Sequence, residues 1–223
     1  MKCVVLLLIL FSFCYSHQTI QLFKPEYGRT AAGEYTQLFL PSAALSKGQH
    51  LYITIKSYET RGVFDLYVHT SRNATRVDYR WKGKSEPYGS IFLIISETDP
   101  QYPPNHGPFF LSFITSRVAP YRLIAYKEGT DHIPVNFADE MFLAVAKGSY
   151  VYVKFHTGSR SKIHLKSAFV TGRHEVYCSY NKFPTSLDYH WTGRSIEIVH
   201  PEIWIHCGIY GVDDSLFRFE INS

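Results

Sequence analysis

The sequence predicts an all-β protein built from two tandem antiparallel β-sandwich domains of jelly-roll-like form, preceded by a signal peptide. Three observations predict this class. Short segments alternate strictly between apolar and polar residues, glycine and proline lie between them, and the octapeptide DYRWKGKS at 78–85 returns as DYHWTGRS at 188–195. Alternation places successive side chains on opposite faces of a strand. Short strands separated by turn residues are typical of a sandwich.

The first element is an export signal. Residues 1–16 place one lysine before an apolar run that ends in small or polar residues, which is the pattern of a secretory signal peptide. The run is too short to cross a bilayer, and no later apolar run of about 18 residues follows it. We therefore expect a mature chain that begins near His17, has no transmembrane segment and is secreted into the extracellular space or the secretory lumen.

Charge and cysteine content narrow the partners and the compartment. The 23 basic and 19 acidic residues give a net charge of +4 without a basic block, so we expect no nucleic-acid partner. Cys3 and Cys14 belong to the signal segment, which leaves Cys178 and Cys207 to form a disulfide in an oxidising compartment; a reactive thiol is the alternative. Asn73 begins an Asn-Ala-Thr sequon, and we expect a glycoprotein modified there, a bare sequon being the alternative.

The alternating segments around the octapeptides also recur, which predicts a duplicated unit. Spacing between matched positions is about 100 residues at the first pair and 110 at the octapeptide, which we interpret as insertions between strands. A boundary near 127–132 then gives a first domain at 17–128 and a second at 129–223. The matched pairs are 46–56 with 146–156, 63–69 with 162–166, 91–95 with 196–200, 109–115 with 203–209, and 120–126 with 216–222.

Two segments depart from plain alternation. The stretch SETDPQYPPNHGP at 96–108 contains Pro100, Pro103 and Pro104, which exclude a central strand and predict a long surface loop. FADEMFLAVAKG at 137–148 is the main candidate for a helix, but its alignment with the first copy favours the end of a strand followed by a turn.

The order of these segments resembles the bacterial-type pre-peptidase C-terminal (PPC) domain, a β-sandwich found beside secreted proteases. The strongest fragment is FDLYV at 64–68 followed by the aromatic octapeptide. The resemblance covers most of the first copy, whereas KIHLK at 162–166 in the second lacks the aspartate and tyrosine of DLY. It implies a non-catalytic accessory or binding module.

Catalytic and metal-binding patterns are weak. The pairs His200/His206 and His156/His164 are too far apart along an extended strand to hold one ion, because six residues of strand span about 20 Å. Asp65 is a candidate calcium ligand, although a turn carboxylate fits it better. Neither GxSxG nor HExxH occurs. We expect no metal, no cofactor and no enzymatic activity, with a small secreted hydrolase as the remaining catalytic alternative.

The octapeptide has two interpretations. Its aromatic residues either bind a ligand, or the tryptophans belong to the core of each sandwich with Gly83 and Gly193 in the following turn; duplication favours the second. Overall we expect a secreted, non-catalytic binding or accessory protein that recognises a secreted protease or a matrix component through tyrosine-rich sheet faces. The alternative is a carbohydrate-binding, lectin-like module. The candidate ligand-binding residues are Tyr79, Trp81, Tyr189 and Trp191, and the tyrosines expected on the sheet faces are Tyr52, Tyr67, Tyr150 and Tyr152.

Overall fold

The computed structural model describes residues 18–58, 64–86, 89–129, 131–160, 162–199 and 203–223. The predicted signal segment, with Cys3 and Cys14, lies outside the described residues, as do His17 and His200. The described residues form strands, turns and loops without an α-helix, which confirms the all-β class. They contain no helix able to cross a membrane.

Ten strands form the first half of the described chain, up to residue 127. Most are short, and their apolar residues alternate with polar or half-buried ones, as the sequence pattern requires. These strands are β1 (Gln18–Thr19), β2 (Glu26–Thr30), β3 (Tyr35–Leu40), β4 (His50–Ser57), β5 (Phe64–His69), β6 (Trp81–Lys82), β7 (Lys84–Glu86), β8 (Ser90–Ser96), β9 (Phe109–Thr115) and β10 (Ala119–Lys127).

Nine strands form the second half, from residue 131 onward. These strands are β11 (Ile133–Pro134), β12 (Met141–Val145), β13 (Tyr150–His156), β14 (Ile163–Thr171), β15 (His174–Ser179), β16 (Trp191–Thr192), β17 (Ser195–Ile198), β18 (Trp204–Gly211) and β19 (Ser215–Asn222).

The strands form four sheets, two in each half. In the first half the order is β1-β3-β9-β5-β6 in one sheet, which we call front sheet 1, and β2-β10-β4-β8-β7 in the other, back sheet 1. Front sheet 2 has the order β11-β13-β18-β15-β16, and back sheet 2 the order β12-β19-β14-β17. All pairings are antiparallel except the two-residue parallel pairs β1/β3 and β11/β13. The two halves therefore share one strand order, apart from β7.

This topology corrects the match between the halves upstream of the octapeptide. β13 takes the place of β3 rather than β4, β14 takes the place of β4, and β15 takes the place of β5. Val68 of β5 pairs with Trp81 as Cys178 of β15 pairs with Trp191, so 64–83 and 174–193 correspond at a constant spacing of 110 residues. The inferred insertion before the second octapeptide is wrong, because strands with the same two-residue period look alike in sequence. The counterpart of Asp65-Leu66-Tyr67 is Glu175-Val176-Tyr177.

Each half buries an apolar layer between its front and back sheets. In the first half the layer includes Leu38, Ile53, Leu66 and Phe113, all fully buried. The second layer includes the disulfide between Cys178 and Cys207, which confirms the predicted pairing. The two cysteines lie opposite each other on β15 and β18, with a Cα–Cα distance of 4.1 Å.

The halves also pack directly against each other through β12. All five residues of this strand are buried, because one face covers the second core and the other lies on back sheet 1. Tyr126 donates its hydroxyl hydrogen to the carbonyl of Ala144 (2.8 Å), and Thr54 donates to the carbonyl of Phe142 (2.8 Å). The prediction of a strand followed by a turn at 137–148 is confirmed. The division into domains 17–128 and 129–223 stays a prediction, since one apolar cluster spans both halves.

Candidate binding surface

The first three residues of each octapeptide lie at the end of a loop that joins two strands of a front sheet, β5 to β6 in the first half and β15 to β16 in the second. The first loop comprises residues 70–80 and the second loop residues 180–190. Thr75 and Asp78 exchange two backbone hydrogen bonds of 2.8 and 3.3 Å, and Thr185 and Asp188 exchange two of 3.1 and 3.2 Å. The loops therefore contain the same tight turn at equivalent positions.

A tyrosine from another strand of the same front sheet holds each turn in place. In the first half the hydroxyl of Tyr35 on β3 accepts a hydrogen bond from the backbone N–H of Arg76 (3.0 Å). In the second half the hydroxyl of Tyr150 on β13 accepts one from the N–H of Ser186 (3.3 Å). Both bonds lie at the surface, and each ties the turn of its loop to a strand of the front sheet.

The octapeptide tyrosines add a second contact between loop and sheet. Tyr79 lies on Tyr67 with ring centroids 5.3 Å apart at 49°, and Tyr189 lies on Tyr177 at 5.4 Å and 49°. This spacing is in the favourable range for tilted aromatic pairs. Tyr79 and Tyr189 remain 43% and 44% exposed, so nearly half of each side chain is accessible to solvent.

The octapeptide aspartates brace the loops from within. The guanidinium of Arg72 is 2.7 Å from the carboxylate of Asp78, and the side-chain amide of Asn181 donates to both carboxylate oxygens of Asp188 at 3.2 and 3.4 Å. The side chain that contacts the aspartate is an arginine in the first half and an asparagine in the second, but in both halves the contact holds the loop together. The first residue of each octapeptide thus stabilises the loop that precedes it.

The tip of each loop exposes an aliphatic side chain. Val77 is 92% exposed and Leu187 is 95% exposed, at equivalent positions of the two turns. Scattered exposed aliphatic residues are ordinary on protein surfaces. Their recurrence at the tip of two braced loops, each beside an exposed tyrosine, is the feature that marks these loops as a candidate binding surface.

The tryptophans lie deeper than the tyrosines. Trp81 is 8% exposed and donates its indole N–H to a carboxylate oxygen of Asp99 (2.8 Å). Trp191 is half-buried and contacts Tyr180 at 5.0 Å. Of the four aromatic residues predicted to bind a ligand, Tyr79 and Tyr189 lie at the surface, Trp191 is intermediate and Trp81 is a core residue.

The glycine after the first tryptophan is required by close packing. A Cβ atom on Gly83 would lie 3.0 Å from side-chain atoms of both Leu66 and Ile91, and the Gly83 N–H donates to the carbonyl of Leu66 (2.9 Å). Gly193 instead has a φ of +121°, a conformation that other residues rarely adopt. The repeated glycine therefore serves a different local need in each half.

Tyrosines also cover the outer face of front sheet 2, as expected from the alternation. Tyr150 and Tyr152 stack at 5.9 Å and 10°, and Tyr210 lies 5.0 Å from Tyr150. Tyr67 is buried beneath the first loop, and Tyr52 is fully buried between the halves. Only Tyr150 and Tyr152 of the four sheet tyrosines singled out in the sequence are even half-exposed.

Beside these tyrosines a cavity of about 380 Å³ opens on front sheet 2. His206 contributes from β18 and stands 4.8 Å from His132 between ring centroids. Burial, followed by the positive charges of His132, Lys154 and Lys182, lowers the pKa of His206 to about 4. The imidazole is thus neutral at physiological pH. The lining residues are Asp131, His132, Lys154, Lys182, Phe183 and His206.

A second buried histidine sits away from any opening of that size. His174 is 3% exposed and its Nε2 is hydrogen-bonded to the hydroxyl of Ser167 (2.6 Å). Burial, with a smaller effect of Arg194, lowers the pKa of His174 to about 4. Ser167 is itself only 5% exposed and does not line the cavity of about 260 Å³ on which His174 borders, so a substrate in that cavity would not reach the hydroxyl of this nucleophile-and-base pair.

The remaining predicted site residues occupy ordinary surroundings. The Asn73 side-chain amide donates to Gln37 (2.9 Å), and a carboxylate oxygen of Asp65 is 3.7 Å from the Lys82 ammonium. Within the ranges that the structure describes, no three His, Cys, Asp or Glu side chains gather as a metal-binding group.

Sequence reasoning missed the cavity on front sheet 2. Its members come from four separate stretches of chain, and no local motif links His132, Lys154, Lys182 and His206. The one available signal was that His206 and Lys154 fall on the non-core side of alternating strands. No known protein-family model and no curated protein sequence matches this chain.

Proposed function

We propose that this chain is a secreted, non-catalytic binding protein that recognises a protein partner through the tips of its two loops. The observation that carries the proposal is the nearly complete exposure of Val77 and Leu187 on turns of the same conformation. The PPC-like order of segments in the sequence supports a secreted protease or a matrix component as the class of partner.

The energetics of such a contact favour a protein. Burying one fully exposed valine or leucine side chain is worth about 1.5 to 3 kcal/mol, which a pocket on a partner supplies. Bracing by Asp78 and Asp188 lowers the entropy lost when the loops are ordered on binding. The adjacent tyrosine rings are residues enriched at protein interfaces.

A carbohydrate partner is the second candidate, and the partly exposed aromatic rings of Tyr79 and Tyr189 favour it. A sugar stacks on a flat ring but gains little from a projecting aliphatic side chain. Trp81 is only 8% exposed, so Tyr79 is the one aromatic residue of the first octapeptide pair that a sugar could contact. The protein partner therefore accounts for more of the loop surface.

Hydrolysis is supported less well than binding. The cavity on front sheet 2 gathers several titratable groups, as a hydrolase would need, but none of the described residues that line it is a serine, threonine or cysteine. Asp131 is the single carboxylate among the described residues of its lining, whereas glycoside hydrolysis uses a pair.

The proposal is tested with tagged protein and the secreted fraction of its source. Captured proteins are identified, purified and titrated against the parent protein, V77D, L187D, the double variant and the control V118D. Val118 is a 46% exposed valine outside both loops. We expect each loop substitution to raise the dissociation constant at least tenfold and V118D to leave it unchanged. Equal affinity of the double variant and the parent would overturn the proposal. A glycan panel that quenches tyrosine or tryptophan fluorescence, with no protein captured, would favour the carbohydrate alternative.

A further inference from the structure

The cavity on front sheet 2 has the size and composition of a ligand site. Its volume of about 380 Å³ falls in the usual range for small-molecule sites, about 300 to 1,000 Å³. Lys154 reaches it from β13, His206 from β18, and Lys182 from the second loop. His132 closes one side, where its Nε2 is hydrogen-bonded to the backbone carbonyl of Lys182.

The charge in this cavity is unbalanced. Neither Lys154 nor Lys182 forms an ion pair with any residue that the structure describes, and Asp131 is the only carboxylate among the lining side chains. The Nδ1 atom of His206 is buried and has no hydrogen-bond partner among the described residues. A buried polar atom without a partner costs free energy, which a ligand atom can recover.

An aromatic wall stands next to these cations. Phe183 contacts Tyr152 at 5.2 Å and His132 at 5.1 Å between ring centroids, yet 40% of it remains exposed. Lys154 in turn lies over the ring of Trp204 at 5.7 Å. A ligand with an anionic group on a ring thus meets positive charge and an apolar surface side by side.

The first half shows that the fold does not require these polar residues. Phe39 pairs with Phe110 across β3 and β9, at the position where Lys154 pairs with His206 across β13 and β18. The two phenylalanine rings contact each other at 5.2 Å. The second half therefore replaces an aromatic pair by a lysine and a histidine on the same scaffold.

We propose that this cavity binds an oxyanion, sulfate or carboxylate, carried on a sugar ring. Lys154 and Lys182 supply the charge, the His206 imidazole donates a hydrogen bond from Nδ1, and the sugar ring lies against Phe183. This site is separate from the contact proposed for Val77 and Leu187, and it does not depend on that contact.

Four probes distinguish the parts of this proposal: N-acetylglucosamine 6-sulfate, glucuronic acid, neutral N-acetylglucosamine and inorganic sulfate. In calorimetric titrations at low salt we expect one or both acidic sugars to bind at least tenfold more tightly than the neutral sugar and inorganic sulfate. Which acidic sugar binds identifies the oxyanion. Equal binding of inorganic sulfate and the sulfated sugar would overturn the role of the ring. No binding of either acidic sugar would overturn the site.

One test variant copies into the second half the phenylalanine pair that the first half has at the same position. K154F/H206F installs the aromatic pair of the first half, and K47M removes an exposed lysine elsewhere. We expect K154F/H206F to lose acidic-sugar binding at least tenfold while unfolding cooperatively, and K47M to bind as the parent does. NMR titration of the parent should also show the pKa of His206 rising on addition of the bound sugar. An unchanged His206 titration, or unchanged binding by K154F/H206F, would contradict the proposal.

Discussion

The two octapeptide loops contain the same backbone turn, but the tryptophan that follows each loop is buried to a different extent: Trp81 is buried and Trp191 is half-buried. Trp81 lies under the 97–108 connection, where Asp99 accepts its indole N–H and Phe109 lies 6.2 Å away at the start of β9. The corresponding connection in the second half, residues 199–203, is seven residues shorter in sequence. Trp191 contacts residues of its own loop instead, Tyr180 and His190.

This difference separates two roles within one repeated motif. The turn, the aspartate brace and the tyrosine stack recur in both loops, so they determine loop shape. The burial of the tryptophan follows from a connection that the repeat does not include. The two copies of the motif therefore share the geometry of the exposed loop, although the tryptophan is buried in the first copy and half-exposed in the second.

The largest effect should come from removing the tryptophans one at a time. We expect W81A to lower the free energy of unfolding by about 3 to 5 kcal/mol, because it empties a buried site. W191A should cost about 1 to 2 kcal/mol, since that ring is already half-buried. Urea unfolding curves of the two variants measure the difference. Equal losses would mean that the 97–108 connection contributes nothing to the anchor.

The disulfide is the next difference between the halves. Cys178 and Cys207 occupy the positions of Val68 and Leu111, which pair across β5 and β9. C178S/C207S should lose about 3 to 4 kcal/mol, because the bond closes a separation of 29 residues and the serines bury hydroxyl groups. C178V/C207L copies the first half and should lose less. Denaturant unfolding checks the ranking, and a valine–leucine variant no more stable than the serine variant would contradict it.

Acid should destabilise the second half through His174, whose counterpart is Phe64. The folded-state pKa of His174, about 4, lies below the unfolded value near 6.5. The unfolded chain thus binds more protons between these values, so this stability is present above pH 6.5 and is lost as the pH falls toward 4. The loss amounts to up to about 3 kcal/mol.

The variant S167A/H174F removes this titration and isolates it from other groups. Its free energy of unfolding should vary less than that of the parent between pH 7 and 4.5, measured by urea unfolding at each pH. Parallel profiles for the two proteins would show that His174 does not carry the acid sensitivity.

The smallest effect concerns the loop braces. D78A removes an exposed ion pair with Arg72, worth about 0 to 1 kcal/mol, and D188A removes hydrogen bonds from the neutral amide of Asn181. Added salt screens the first interaction more than the second. Amide hydrogen exchange at Thr75 and Thr185 should therefore show a D78A effect that shrinks at high salt and a D188A effect that persists. A salt response of the same size in D78A and D188A would contradict the assignment of an ion pair to the first loop and neutral hydrogen bonds to the second.

Several features were predictable because they depend on local pattern or on elimination. The all-β class follows from the two-residue period, and the Cys178–Cys207 bond follows from the cysteines left outside the signal segment. The apolar run of β12 was also assigned correctly to a strand, although the alignment of AKG with SKG that favoured this assignment is wrong, because β13 takes the place of β3 and not of β4. The burial of Trp81 agrees with the interpretation, favoured by the duplication, that the octapeptide tryptophan belongs to the core.

By itself the sequence determined the class of fold, the repeated loop and the disulfide, since each is recorded in neighbouring residues or in residue counts. Only the tertiary structure decided which strand corresponds to which, because every alternating strand carries the same period and pairing partners lie far apart in the chain. It likewise decided that Tyr52 is buried between the halves, and that His132, Lys154, Lys182 and His206 line one cavity. Those outcomes depend on the packing of distant segments, which local alternation does not encode.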